Sequence, residues 1–269
     1  MRKIIFTGHR QHRSWLPIVL LLVLWGSQLP GQRAAAQTQV PPPGQRMAPS
    51  LPVIPAKGDT THILTRYFTQ ATAVRKAPDA DGFIQRWLVL EPVRKDIARN
   101  NIFTDNYLRT NFSNDNFSAD YNSVPKNGET VRVGGQELKW HALDSKTFNF
   151  NLYHFTYALN KPRYGLLVWL VTVVNCDEEI RDVRLTAGCN SGSMWWLNGS
   201  EALMLSGDRD LIADNGTSPR VTLKKGKNII RGAVINGPGM ANFCVRFIDE
   251  KGMPVKNFRI GTNKNIYLP

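Results

Sequence analysis

The sequence predicts an all-β chain folded as an antiparallel β-sandwich, and three observations carry that prediction. Short runs rich in β-branched and aromatic residues recur through residues 83–260, each bounded by Gly, Asn, Asp or Pro. Two of the boundaries, Gly134-Gly135 and Asn198-Gly199, are residue pairs that tolerate the positive φ angles of a two-residue hairpin turn. The succession yields about ten strands and little helix, which is the pattern of a sandwich.

At the amino end, Arg2, Lys3, Arg10 and Arg13 precede an apolar run over residues 18–25, and Ala34-Ala35-Ala36 supplies the small residues a signal peptidase accepts. That layout reads as an export signal over residues 1–36. The run is short beside the roughly 20 residues of a bilayer span, so no membrane span is expected after cleavage, and the expected location is periplasmic or secreted. Residues 37–60 contain Pro41, Pro42, Pro43, Pro49, Pro52 and Pro55 with few large apolar side chains. Such a segment forms an extended spacer and cannot pack a core. Residues 61–269 remain for a single domain.

Within it, residues 83–93 are rich in β-formers and meet Pro92 near their end, as a strand entering a loop does. Residues 94–127 form a long Asn-rich insertion in which Ile102, Phe103, Tyr107, Leu108, Phe112 and Phe117 are interspersed; one short helix and a long loop are expected there. Strands at 131–133 and 136–141 flank Gly134-Gly135. Residues 148–159 alternate aromatic and polar side chains before Asn160-Lys161-Pro162 and read as a strand reaching a turn. Residues 166–174 are nearly all apolar, the mark of a central strand covered on both faces. Strands at 182–188, 193–197, 200–205, 220–223, 227–236, 242–249 and 255–260 follow, and their short separations read as successive hairpins.

Four blocks in this stretch resemble a known family. They are Ile84-Gln85-Arg86-Trp87-Leu88-Val89-Leu90, the run from Gly188-Cys189-Asn190 to Trp195-Trp196-Leu197-Asn198-Gly199, Leu223-Lys224-Lys225-Gly226-Lys227-Asn228, and Phe247-Ile248-Asp249-Glu250-Lys251-Gly252. Together they are similar to galactose-binding-like jelly-roll domains of secreted carbohydrate-active proteins. The likeness is greatest to acetylxylan-esterase-related exported proteins of Gram-negative polysaccharide degraders, and it covers about residues 82–260. The resemblance implies a polysaccharide or oligosaccharide partner, with another carbohydrate-active protein as a second partner class. In related sugar-binding domains adjacent aspartates hold calcium before the Trp-Leu-Asn-Gly run. Here those positions align with Asn190-Ser191, and a hard cation prefers carboxylate oxygens, so no metal and no other cofactor is expected.

Trp195 and Trp196 are neighbours on one predicted strand and must face opposite ways. With Trp196 filling the space between the sheets, Trp195 is the expected exposed platform, and Asn190, Ser191, Asp208 and Arg209 of neighbouring turns are the expected hydrogen-bonding groups of a ligand site. The opposite reading seats Trp195 in a second packing layer under residues 94–127. For an esterase, Gly188-Cys189-Asn190-Ser191-Gly192 sets the serine one place late for a nucleophile elbow, and Gly207-Asp208-Arg209 carries arginine where a Gly-Asp-Ser signature has serine. His141 with Asp144, and His154, are expected to be polar residues at strand edges, and no catalytic residue is assigned.

Cys176, Cys189 and Cys244 allow at most one intramolecular disulfide. Cys176 with Cys244 is one expectation, and three buried thiols acting as small apolar residues is the other. The formal charge is +13 over the whole chain, and loss of residues 1–36 leaves 29 basic against 21 acidic residues, or +8. That balance suits anionic surfaces or acidic polysaccharides, whereas no motif for nucleic acid is present. A non-catalytic carbohydrate-binding or accessory module of a polysaccharide-degrading system is therefore the favoured expectation, with a carbohydrate esterase or an envelope interaction module as alternatives.

Overall fold

The computed structural model describes residues 60–113 and 121–262. The expected export signal, the spacer up to its last residue, and Phe117 of the insertion lie outside these residues. Fifteen strands and three helices form among the described residues, arranged as two antiparallel sheets. The large sheet runs β1 (Phe68–Gln70), β5 (Gln136–Ser145), β2 (Arg86–Leu90), β7 (Leu166–Cys176), β13 (Gly226–Asn236), β9 (Gly192–Leu197) and β10 (Ser200–Leu205). β3 (Val93–Arg94) and β15 (Arg259–Gly261) also pair with β7, and β4 (Thr130–Val133) pairs with β5. The small sheet runs β11 (Gly216–Thr217), β8 (Ile180–Cys189), β14 (Asn242–Ile248) and β6 (Phe150–Asn151), with β12 (Val221–Leu223) added to β8. The short strands β1, β3 and β11 are pieces of two or three residues, too short for alternation to mark.

Two cores follow from the period of two along each strand. Trp87 and Val89 of β2, Val168 and Leu170 of β7, and Trp195 of β9 point inward to meet Leu185 of β8 and Phe243 and Phe247 of β14. The intervening residues, Leu88, Leu167, Trp169, Val171 and Trp196, point to the opposite face of the large sheet and form a second core. The insertion covers that face: Phe103, Leu108 and Phe112, the last two from α2 (Asp105–Ser113), together with Val124, complete the second cluster. Every residue of β7 is consequently buried, as its unbroken apolar run required.

Two hairpins form where the turn chemistry predicts them. Gly134 and Gly135 take φ of 54° and 78° between β4 and β5, and Asn198 and Gly199 take 51° and 83° between β9 and β10. The reading of successive hairpins fails elsewhere. β7 and β8 are consecutive but belong to different sheets, as do β8 and β9, and β12 and β13. Each short connection there crosses between the layers of the sandwich.

Residues 148–159 also depart from expectation. Only Phe150–Asn151 is strand; the chain then turns into α3 (Leu152–Ala158), where the Asn151 side chain caps the helix by accepting from His154 N at 2.9 Å. Leu152, Phe155, Thr156 and Ala158 are buried, the first three spaced three and four apart, so helical spacing over the second half overrides the alternation of the first. α1 (Thr61–Tyr67) packs beside α3, and Thr60 Oγ1 donates to Ala158 O at 3.0 Å.

The expected Cys176–Cys244 disulfide is absent; all three cysteines are buried free thiols. Cys176 faces the inner core from the large sheet. Cys244 lies between the inward residues Phe243 and Val245 on the small sheet, so it faces away from that core. Strand alternation thus separates the two sulfurs.

Candidate functional site

Trp195 is not the exposed platform. Its side chain is fully buried in the inner core, at 0% exposure. It meets Trp87 and Phe243 at ring separations of 5.8 and 5.5 Å, and its Nε1 donates to Ser193 Oγ at 3.0 Å. The two tryptophans do face opposite ways, but with the roles exchanged. Trp196 occupies the outer face, 6% exposed, in the layer beneath the insertion.

The other four expected site residues do gather at one end of the sandwich, and their hydrogen bonds are largely spent within the protein. Asn190 Oδ1 accepts from Asn242 Nδ2 at 3.0 Å, and Asn190 N donates to Asn242 O at 3.0 Å. Ser191 is buried at φ 61°, and its N–H donates to Arg209 O at 3.3 Å. Asp208 accepts from Asn100 Nδ2 at 2.9 Å, while Arg209 donates to Ser206 O at 2.7 Å and to the Asn215 side chain. These contacts tie the 188–192 and 206–215 turns to each other and to the start of the insertion.

Concave, partly open surface lies instead over Trp196. A groove of about 360 Å³ is lined by Arg109, Thr110 and Phe112 of α2, by Tyr121, and by Met194 and Trp196 of β9, within the range of about 300–1,000 Å³ that small-ligand sites occupy. Its floor is a stack of rings: Trp169 to Trp196 at 5.9 Å, Trp196 to Tyr121 at 4.8 Å and 21°. Phe112 stands edge-on to both indoles. At the rim, Arg109 makes a two-pronged pair with Glu201 of β10, at 2.5 and 2.8 Å.

The residues on either side of the groove hold it in place. Gly192 gives Leu108 of α2 room, since a Cβ there would lie 2.8 Å from the leucine side chain. On the other flank, Arg231 of β13 is buried beneath Tyr121, with its guanidinium carbon 5.7 Å from the ring centre. Its Nη2 donates to Ser123 O at 3.0 Å and Ser123 Oγ at 2.8 Å, pinning the insertion at residue 123. Of these groove residues the sequence had singled out Trp196, as a core filler. Phe112 and Tyr121 belong to no motif, so only the fold brings them to Trp196.

The titratable groups considered for an esterase are engaged elsewhere. His141 Nε2 meets Glu91 Oε1 at 3.2 Å, and Lys161 Nζ meets Glu91 Oε2 at 3.2 Å. Asp144, the residue paired with His141 on sequence, instead makes a buried two-pronged bridge with Arg86 at 2.7 and 2.8 Å. His154 lies flat on Tyr67 at 3.8 Å. Burial drives both histidines below their ordinary pKa, outweighing Glu91 at His141 and aided by Arg66 at His154. Burial also pushes the Cys189 thiol up to about 12, and those of Cys176 and Cys244 to about 11, far from the thiolate a nucleophile needs. Among the described residues no three His, Cys, Asp or Glu side chains converge as a metal site, and no helix is long and apolar enough to cross a membrane.

No protein-family model matches the sequence, and no curated protein does. Solved structures give distant likenesses. An anti-sigma factor domain-containing protein aligns at 12% identity over 65% of this chain and 45% of that one, with a TM-score of 0.36; the chain spans less than half of that protein's length. The PA14 domain of MpAFP antifreeze protein aligns at 14% identity over 74% of this chain and all of that one, at 0.39. A subtype-switched epithelial adhesin A domain from Candida glabrata, in complex with β-lactose, aligns at 8% identity over 72% and 96%, at 0.30.

Proposed function

We propose that the domain is a non-catalytic carbohydrate-binding or accessory module of an exported polysaccharide-degrading system, and that it receives a glycan segment in the groove over Trp196. The observation that carries this reading is the ring stack ending in half-exposed Tyr121, beside the Arg109–Glu201 pair. A sugar presents an apolar C–H face and a rim of hydroxyls. An aromatic floor suits the first, and paired charged groups that both donate and accept suit the second. The family resemblance and the export signal read from residues 1–36 support the same setting. The esterase alternative asks for a histidine beside a nucleophile, whereas His141 is committed to Glu91 and His154 to Tyr67.

The test is a binding panel of neutral plant polysaccharides run beside acetyl-ester hydrolysis. Binding without turnover is expected, with Tyr121→Ala weakening it by about tenfold or more, the scale of one lost ring contact in a desolvated site, at an unchanged circular dichroism spectrum. Unchanged affinity in that variant would remove the groove from the reading. Ester turnover abolished by one serine or histidine substitution would replace it with the enzyme.

A further inference from the structure

A second surface, remote in sequence from the groove residues, gathers rings and positive charge. It is built by α1, α3 and the turn that follows α3. Tyr67 of α1 stacks on His154 of α3, and His154 meets Tyr153 edge-on at 5.7 Å. Tyr153 in turn meets Tyr164 at 5.9 Å. Arg163 is laid over Tyr153 and Tyr157, its guanidinium carbon 5.3 and 4.8 Å from the two ring centres, and Arg66 lies 5.7 Å from the centre of Tyr67. These rings are half-buried, each keeping part of its surface in solvent.

Burial of the rings against one another explains part of this cluster, because α1 needs something to pack against. The charges need a different account. Among the described residues neither Arg163 nor Arg66 pairs with a carboxylate, and the nearby Glu91 is already shared by His141 and Lys161. Arg163 Nη1 donates to Tyr153 Oη at 3.0 Å, which uses one of the guanidinium's five N–H donors and fixes its plane. A planar fork held against two phenol rings is preorganised for a bidentate oxyanion, and the adjoining rings offer flat apolar area.

We propose that this surface binds carboxylated polysaccharide, with a uronate carboxylate on Arg163 and flanking sugar faces on Tyr157 and Tyr164. The overall basic balance of the chain favours such a ligand over long range. The site shares no residue with the groove, so either can fail without the other.

The experiment is isothermal titration of the full chain with polygalacturonate, unsubstituted xylan backbone and dextran sulfate. Polygalacturonate is expected to bind in preference to dextran sulfate, and Arg163→Gln to weaken it about tenfold or more, the effect of one lost charged hydrogen-bonding pair. Arg163→Lys should lose nearly as much, because it keeps the charge but not the fork. Tyr121→Ala should leave polygalacturonate binding intact while reducing binding of the neutral chain. Should Arg163→Gln fold poorly, Arg66→Gln, altering an exposed side chain, is expected to give a several-fold loss at an unchanged melting temperature. Equal affinity for polygalacturonate in the wild type and both glutamine variants overturns the proposal. So does a dextran sulfate affinity matching that for polygalacturonate with Arg163→Lys unaffected, which would mean charge alone.

Discussion

Gly232 decides where Trp195 lies. The two are cross-strand partners on β13 and β9, and a Cβ on Gly232 would stand 2.3 Å from Trp195 Cζ3. The indole therefore lies flat over the backbone of β13, between the two sheets. Gly232→Ala should cost about 1–3 kcal/mol, the usual range for overpacking a full core. The midpoint of urea unfolding measures it, and a shift in tryptophan emission should accompany the loss; an unchanged midpoint would mean the ring has slack that the packing does not suggest. The alternation of Trp195 and Trp196 was legible from sequence, because neighbouring strand residues must diverge. Which ring went inward was not, since it depends on the absent side chain of Gly232, 37 positions away, and on the insertion covering Trp196.

The crossing segment at residues 206–217 shows how an element is held by a few contacts. It passes over β8 where Gly188 lacks a side chain, a Cβ there falling 1.9 Å from Ile212 O. Asp214 then clamps it to both β8 and β14, accepting from Thr186 Oγ1 at 2.5 Å and pairing with the Arg246 guanidinium. Burial alone would raise the Asp214 pKa, but its bonds to Arg246 and Thr186 outweigh burial and hold it below the ordinary 3.8. A depressed carboxyl contributes stability that is present above its unfolded pKa and lost as pH falls through the folded value. Melting temperature should therefore drop as pH is lowered from about 4, and Asp214→Asn should start lower and lose less over that interval. A parallel decline in both proteins would show that the clamp is not what titrates. In sequence Asp214 stands near Asp208 and Asp210, without a sign that Arg246, from the far strand, completes the clamp. The helix of the insertion was legible; α3 was not, because Phe148 and Phe150 set an alternating pattern just before the spacing changes.

Over the whole molecule, the sandwich was readable because turn chemistry and strand composition are local. The assignment of strands to sheets was not, because β7 to β8, β8 to β9 and β12 to β13 change layer through connections as short as true hairpins. The two half-buried histidines give the assembled molecule a further dependence on acidity. His141 and His154 both have lowered folded pKa values, chiefly through burial. The unfolded chain takes up protons first as pH falls below about 6.5, so folding stability should decline between about pH 7 and 5 and recover on return. His141→Gln with His154→Gln should flatten that slope in denaturant titrations. A slope unchanged in the double variant would assign it to other groups.

β7 has one long partner on one side, β13, in register over its full length. Its other edge is filled piecewise by β2, β3 and β15, which come from opposite ends of the folded region. Residues 259–261 therefore occupy a place beside residues 173–175 that nothing earlier among the described residues fills. During synthesis the emerging polypeptide must wait, its central edge unsealed, until almost the entire domain has cleared the ribosome.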